Sequence, residues 1–509
     1  MKKYILLLSF SWAINFVWAQ READGMFFGG CYNNQTCLCN APLQGNIYKF
    51  NDDSLEEIID PACLPLSTFY SKATFCDKNT GELIFASNGW RLVNGVEQIV
   101  SHKLWFDNMP HPGGPDSTNV SNNAGPLFLT HPGDSTKAYL FYGQLWNYTV
   151  QSSNYKMDKY FTYALLDIPT KTLISKNHIV LSDTSSRSDM QACRHANGRD
   201  WWIIKPDIWS NKYFIGLLTP QGIEMNNITL QGVPSVLRVN TSSKFNIQGT
   251  KYIHYNGGLS RVIHEYDFDR CTGTLSNFVL HDISDSISWI DGSLASMSIS
   301  PDGSKFYIQR NSTVPLDGLE QGFFQVNLIT DSMNLIARYG GSPQLAPNGK
   351  TIIFRGDSLI GNNQWLSRIS EISNPNESFQ NLDIHHYKYT HPNANLGIAP
   401  SNFAYMRLGA DTLSICDSLS VITKRIKVKE PSGLVVFPNP ATNKLNLVFD
   451  KNSTGTITIS DALGKEVYSY IINNPNVELQ IEISNFNSGI YYLSYRNKDV
   501  SIHKKFVKQ

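Results

Sequence analysis

The chain is 509 residues long, with 43 Lys and Arg against 43 Asp and Glu, so its formal net charge is zero. That balance, without any Lys/Arg-rich run, argues against nucleic-acid binding driven by phosphate neutralisation, and the length is enough for two or more domains. Charged residues make up 17%, below the roughly 25% usual in soluble domains, while aromatics reach 12%, and Tyr, Phe, Val, Ile, Thr and Asn dominate, a composition that favours strands and turns.

Lys2-Lys3 followed by the apolar run Tyr4 to Val17, with Val17 and Ala19 leading to a cut before Gln20, reads as an export signal over residues 1–19. The run is short and interrupted by Ser9, Ser11 and Asn15. No later stretch of about 18 apolar residues follows, so the mature chain is expected to have no transmembrane segment. Export puts the eight cysteines in an oxidising compartment. Five of them (Cys31, Cys37, Cys39, Cys63 and Cys76) crowd into an N-terminal stretch that reads as disulfide-stapled. Cys37-Leu38-Cys39 lacks a second Cys or His pair to complete a metal site, so neither metal nor cofactor is expected.

A strand–turn–strand unit then recurs. It is clearest at Ser298-Ile299-Ser300-Pro301-Asp302-Gly303-Ser304-Lys305-Phe306-Tyr307-Ile308, where Pro301 presets φ and Gly303 supplies a position open to positive φ. Leu345-Ala346-Pro347-Asn348-Gly349-Lys350 repeats it, and weaker copies centre on Gly81, Gly133, Gly198 and Gly249. The six turn glycines are spaced by 52, 65, 51, 54 and 46 residues. A drifting period of about fifty residues, with a second strand pair in each gap, fits four-stranded blades of a β-propeller. Such blades must stack around an axis to cover both faces. Seven blades are favoured, the seventh shared between the chain ends by pairing Asn46–Asn51 with Asn402–Arg407. The all-β propeller, with its Cys-rich N-terminal segment, spans residues 20–410.

The order of Arg194-His195-Ala196-Asn197-Gly198-Arg199-Asp200-Trp201-Trp202, Glu265-Tyr266-Asp267-Phe268-Asp269, Ser300 to Lys305 and Gln344 to Lys350 resembles secreted propellers of Bacteroidota, seven-bladed proteins of lactonase-like or WD40-like repeat type. The resemblance implies a protein of the cell surface or its surroundings, in some cases part of a surface or gliding-motility assembly.

Residues 411–433 read as a linker, with Cys416 and the alternating basic stretch Lys424 to Lys429 in it. From Leu434 onward short alternating strands follow: Lys444–Phe449, Thr456–Asp461, Val477–Ile483, Gly489–Tyr495 and Ile502–Val507. Turn signals every 8–12 residues make residues 434–509 a small immunoglobulin-like β-sandwich. Phe437-Pro438-Asn439-Pro440, Gly464 within Asp461-Ala462-Leu463-Gly464-Lys465, Gly489 and Tyr491 within Ser488-Gly489-Ile490-Tyr491, and Lys504-Lys505 resemble the C-terminal sorting domain of type A cargo of the type IX secretion system. Phe486 stands where that pattern usually has Leu. The resemblance implies passage through periplasm and outer membrane in partnership with the secretion machinery, followed by removal of the domain.

Chemistry is sparser. Asp189, Arg194 and His195 are the candidates for an acid–base constellation at a channel mouth, or else parts of a blade hairpin and its strand. Glu265, Asp267 and Asp269 share one strand face and read as solvated, and His385, His386 and His391 read as loop residues. Most of the tryptophans are expected to pack blades, whereas Trp90, Trp209 and Trp289, flanked by Asn, Asp or Gly, are candidates to stack on a sugar ring. No Gly-x-Ser-x-Gly, His-Glu-x-x-His or P-loop appears in a supporting context. The expected function is therefore a secreted or surface-attached, non-enzymatic propeller that binds protein or glycan. The alternatives are a hydrolase or lyase acting on a lactone or polysaccharide, and a structural component of a surface assembly.

Overall fold

The computed structural model describes residues 25–28, 46–51, 54–58, 73–95, 99–107, 125–150, 153–182, 190–207, 210–230, 241–256, 262–283, 297–310, 322–338, 342–360, 364–392, 402, 404–411, 414–416, 434–497 and 501–509. The chain divides into two compact units, Met1–Ser420 and Val421–Gln509.

The first unit is a β-propeller of seven antiparallel sheets taken in chain order. Blade 1 has three strands, Gly25–Phe28, Asn46–Asn51 and Ser54–Ile58. Blade 2 follows with Ala73–Cys76, Leu83–Ser87, Leu92–Asn94 and Ile99–Ser101. Blade 3 is Leu127–Thr130, Lys137–Val150, Ser153–Asp167 and Thr172–Leu181. Blade 4 is Gln191–Arg194, Trp201–Pro206, Lys212–Thr219 and Gly222–Thr229. Blade 5 is Thr241–Phe245, Lys251–Asn256, Val262–Asp269 and Thr274–Asp282. Blade 6 is Met297–Ile299, Lys305–Arg310, Gly322–Asn327 and Ser332–Ala337. Blade 7 is Pro343–Leu345, Ile352–Ile360, Gln364–Ile372 and Ile384–Pro392.

Within each blade the strands pair in chain order, and the first strands lie side by side between blades 1 and 2, 2 and 3, 4 and 5, 5 and 6, and 6 and 7. The expected repeat turns are the first hairpins of blades 2 to 7, and all open at the same end of the ring, here called the hairpin rim. Their backbone bonds repeat: Gly303 N–H donates to Ser300 and Ser300 N–H to Lys305, as Gly349 does to Ala346 and Ala346 to Thr351. Gly303 has φ +79° and Gly349 φ +68°, the left-handed region in which a Cβ is penalised. Gly133 lacks a positive φ; there a Cβ would lie 2.7 Å from Pro220, so close approach rather than backbone twist calls for glycine.

One expectation changes. Asn46–Asn51 is the middle strand of blade 1, paired to Gly25–Phe28 and Ser54–Ile58, and not to Asn402–Arg407. Both partners come from the same stretch of chain, so the seventh sheet needs no loan from the other end. Cys76 is buried in blade 2, and Cys31, Cys37, Cys39 and Cys63 fall outside the described residues. The disulfide that is described joins Cys271 to Cys416.

The second unit is a β-sandwich of five strands, Leu434–Phe437, Lys444–Asp461, Glu466–Glu482, Gly489–Arg496 and Ser501–Lys508. Lys444–Phe449 and Thr456–Asp461, expected as separate strands, are the two halves of one long strand that passes between sheets. Its first half pairs with Leu434–Phe437 and its second with Gly489–Arg496, while Glu466–Glu482 follows it throughout. Leu445, Leu447, Phe449, Ile457, Ile459, Ile481, Leu493, Tyr495 and Phe506 fill the core.

Candidate functional site

The propeller axis is where the sequence and the fold diverge most. Beyond blade 7, Asn402 and residues 404–411 lie among the inner ends of the blades. Asn402 forms an isolated parallel bridge with Ala73 at the start of blade 2. Its side chain accepts from Gln191 at 2.8 Å and donates to the carbonyl of Pro126 at 3.5 Å, reaching the heads of blades 4 and 3. Ala404 and Met406 are buried in the core that holds Leu127 and Leu129 of blade 3, Ala192 of blade 4 and Ala346 of blade 7. The segment then meets the hairpin rim. A Cβ on Gly349 would lie 2.7 Å from the Tyr405 hydroxyl, and one on Gly198 would lie 2.6 Å from the Ala410 nitrogen. Asp411 N–H donates to Ala196 at 2.8 Å. Asn402 and residues 404–411 thus touch five blades, four of them at or beside an innermost strand or its first hairpin and blade 5 at the turn between its third and fourth strands.

At the rim, blade 5 clamps this segment with two consecutive residues. Arg270 is buried, and its guanidinium donates to the carbonyls of Arg194 (2.9 Å), His195 (3.3 Å) and Gly409. Its own carbonyl accepts from Ala196 and from the Trp202 indole. A planar cation with five donors suits a ring of carbonyls fixed at several heights. Next to it Cys271 is bonded to Cys416, with Cα atoms 5.6 Å apart. Cys193 lies beneath. Leu408 packs against the cluster that contains Cys193, Trp202, Tyr252 and Phe268. Burial pushes the Cys193 thiol up to about 12, with Arg270 and Arg194 only partly opposing it.

Arg194 and His195 belong to this clamp. Arg194 stacks 3.8 Å over Trp201 and donates to the Arg199 carbonyl and the Thr130 hydroxyl, bridging blades 4 and 3. His195 Nδ1 accepts from Asn197 N–H at 3.0 Å, so Nε2 carries the proton and faces the Cys271 carbonyl at 3.1 Å. Burial lowers its pKa, against a smaller opposing pull from Asp200. A neutral imidazole with both nitrogens engaged holds the hairpin against blade 5. Asp189, Trp209 and Trp289 lie outside the described residues. Trp90 is 9% exposed and packs edge-on to Trp105 at 5.0 Å, with Lys103 over its ring.

The carboxylates expected on a solvated face behave differently from one another. Glu265 is buried, accepting from Lys251 at 2.5 Å and from His281 at 3.0 Å, while the far side of His281 meets Asp331 of blade 6 at 2.5 Å. Asp267 pairs with Lys251 at 2.9 Å, and Asp269 caps the following turn through Cys271 N–H and Thr272. Both Glu265 and Asp267 reach Lys251, so they share one face as alternation requires, and the extra residue of the β-bulge opposite them lies on the neighbouring strand between Ser276 and Val279. His385, His386 and His391 sit in the last strand of blade 7 rather than in a loop, with His385 and His386 exposed. Among the described residues, no group of three or more His, Cys, Asp or Glu is placed to hold a metal ion. Nor is any helix among them long and apolar enough to cross a membrane.

In the second unit, the two ends of the expected sorting motif form one feature. The Phe437–Pro438 and Asn439–Pro440 bonds are cis. Asn439 Oδ1 accepts from Val507 N–H at 2.9 Å and its Nδ2 donates to the Lys505 carbonyl at 3.3 Å. Ala441 adds a backbone bond to Val507. Tyr491 donates to the Asn487 carbonyl and stacks on Phe506, with Phe486 tilted against its own ring at 5.1 Å. Gly464 turns the Asp461–Lys465 hairpin at φ +83°, Gly489 opens its strand, and Lys504 and Lys505 lie on the last strand. Residues 435–509 match the family model of the secretion system C-terminal sorting domain. The second unit belongs to this family. The protein is accordingly secreted or displayed at the cell surface, and the sorting domain is the part that marks it for export.

No curated protein matches the chain. Solved structures similar to it are propeller-like. They include the "putative 6-phosphogluconolactonase" of Bacteroides uniformis ATCC 8492 (12% identity, 74% of this chain and 98% of that one, TM-score 0.41). An oligogalacturonate lyase of Vibrio parahaemolyticus matches at 10% identity over 65% of this chain and 88% of that one, TM-score 0.32. A β-xylosidase/α-arabinofuranosidase from a compost metagenome matches at 12% identity over 51% and 93%, TM-score 0.29.

Proposed function

We propose that this is a secreted propeller, exported by a type IX system, that binds a protein or glycan ligand on a face of the propeller. The observation that supports this reading is that Asn402 and residues 404–411 lie among the inner ends of the blades. A propeller enzyme commonly converges its polar side chains on the axis, where a preformed concave site is at hand. Here that volume is taken by the chain's own Asn402, Ala404 and Met406, and Arg194 and His195 are spent on holding the clamp. Recognition then falls to a face of the propeller.

The test is binding of the purified full-length protein to arrays of glycans and of extracellular peptides, with turnover of lactone and polysaccharide substrates followed in parallel. Saturable binding without turnover is the expected result. Ring opening of a lactone or depolymerisation of a polysaccharide would replace the binding reading with the enzymatic one. Recovery of the protein only as a fixed-ratio part of an outer-membrane assembly would replace it with the structural one.

A further inference from the structure

We propose that His281 is a pH-sensitive tie between blades 5 and 6: as an imidazolium it holds Glu265 and Asp331 at once, and on losing its proton it keeps Glu265 and releases Asp331 with the turn that carries it. His281 lies on the outermost strand of blade 5, its side chain 3% exposed. Nδ1 meets Asp331 Oδ1 at 2.5 Å, and Nε2 meets Glu265 Oε2 at 3.0 Å. Both acceptors are carboxylate oxygens, so both ring nitrogens must donate, which only the protonated ring can do. The two carboxylates are held unequally. Glu265 is buried and also accepts from Lys251, whereas the Asp331 side chain is 55% exposed. A neutral ring has one N–H left, and the carboxylate that water can solvate is the one that goes.

Asp331 stands in the turn between the third and fourth strands of blade 6, and the same turn recurs in blades 3 and 5. Thr170, Thr272 and Thr330 meet Thr172, Thr274 and Ser332 hydroxyl to hydroxyl at 2.8, 2.8 and 2.9 Å. The residue between them has positive φ each time, Lys171 at +54°, Gly273 at +72° and Asp331 at +52°. Ile168, Phe268 and Leu328 N–H donate to Thr136, Thr250 and Ser304 of the adjacent first hairpin. The turn is thus built without the side chain at its left-handed position, and in blade 6 that position carries a carboxylate bonded across the seam. On blade 5 the charged groups around the ring are Glu265, Lys251, which bridges Glu265 and Asp267, and Asp282, next along its own strand and exposed. From blade 6, Phe324, Val326, Leu328, Met333 and Leu335 pack in one apolar core with Ile263 of blade 5. Burial of His281 favours the neutral ring, but the two carboxylates outweigh this and raise its pKa above 6.5. The tie is therefore complete at lower pH and is lost as pH rises through that raised value. An exported protein meets the pH of its surroundings.

The experiment measures amide hydrogen exchange of residues 328–332 in the full-length protein at about pH 5.5 and about pH 9, each corrected for the intrinsic rate at that pH. Residues 168–172 of blade 3, where Lys171 takes the place of Asp331, are the control. Wild type is expected to lose protection at 328–332 by about tenfold or more at the higher pH, with a far smaller change at 168–172. Asp331→Gly gives blade 6 the residue that blade 5 has at this position. It is expected to show equal protection at both pH values, and so is His281→Gln. Protection of 328–332 that does not change with pH in wild type would overturn the proposal. So would a pH response that survives Asp331→Gly, or one shared equally by 168–172, which would place the titration elsewhere in the ring. Asp331→Gly alters an exposed turn and decides alone should His281→Gln fail to fold.

Discussion

The two units bury opposite kinds of residue. The sandwich core is aliphatic and aromatic, and among its described residues Lys508 is the one buried polar side chain, while Phe437, Leu463, Ile471 and Tyr492 are left exposed. The propeller buries Asp158, Lys205, Arg194, Arg270, Glu265 and His281, and several of these join one blade to the next. A sandwich covers its two inner faces with one small core. A ring of sheets has many seams, and apolar side chains alone do not say which register each seam should take. Charged pairs and guanidinium–carbonyl bonds do, at the cost of desolvation.

The comparison can be broken first at the seam between blades 3 and 4. Lys205 and Asp158 are 2.7 Å apart with side chains only 2% and 1% exposed. Lys205→Met alone leaves a carboxylate in the core and should cost about 3–5 kcal/mol, lowering the propeller's denaturation midpoint and leaving that of the sandwich in place. Lys205→Met with Asp158→Leu should recover much of the loss. If the double variant is no better than the single, the pair acts through more than its charge. Second, Leu493→Ala in the sandwich should cost about 2–5 kcal/mol by opening a cavity, with the opposite pattern in the same two-transition experiment. A shift of both transitions would show that the units are coupled.

Smaller effects sharpen the picture. Asn439→Ala removes two bonds that tie the opening of the sorting domain to its last strand and should cost about 1–2 kcal/mol, read as a lower midpoint of the sandwich transition. The smallest is a pH dependence at the seam between blades 5 and 6. Burial works against a charged His281, yet its bonds to Glu265 and Asp331 outweigh that and raise its pKa above 6.5. Burial likewise opposes ionised Glu265, and bonds from His281 and Lys251 prevail and lower its pKa below 4.5. The His281 contribution is therefore full below about pH 6.5 and fades as pH rises through its folded value. That of Glu265 is full above about pH 4.5 and fades as pH falls through its folded value. Wild type should be more stable at about pH 5.5 than at about pH 9 by an amount that His281→Gln removes, as measured by thermal melts.

What the chain alone determined was whatever is decided over a few neighbouring residues. A hairpin turn at Gly303 or Gly349 follows from the φ that proline and glycine allow, and the strand faces beside it from side-chain alternation, so the repeat and the sheets were readable. The sorting domain was readable because its signals stand in fixed order along one short stretch. The path of residues 402–411 was not. Its partners are groups such as the Pro126 carbonyl, the Gln191 amide and the Arg270 guanidinium, up to 276 positions away, which leave no periodic pattern along the chain. Cys416 read as part of a linker until the ring brought it to Cys271. Local backbone preference writes the blades, and closure of the ring alone decides what occupies its centre.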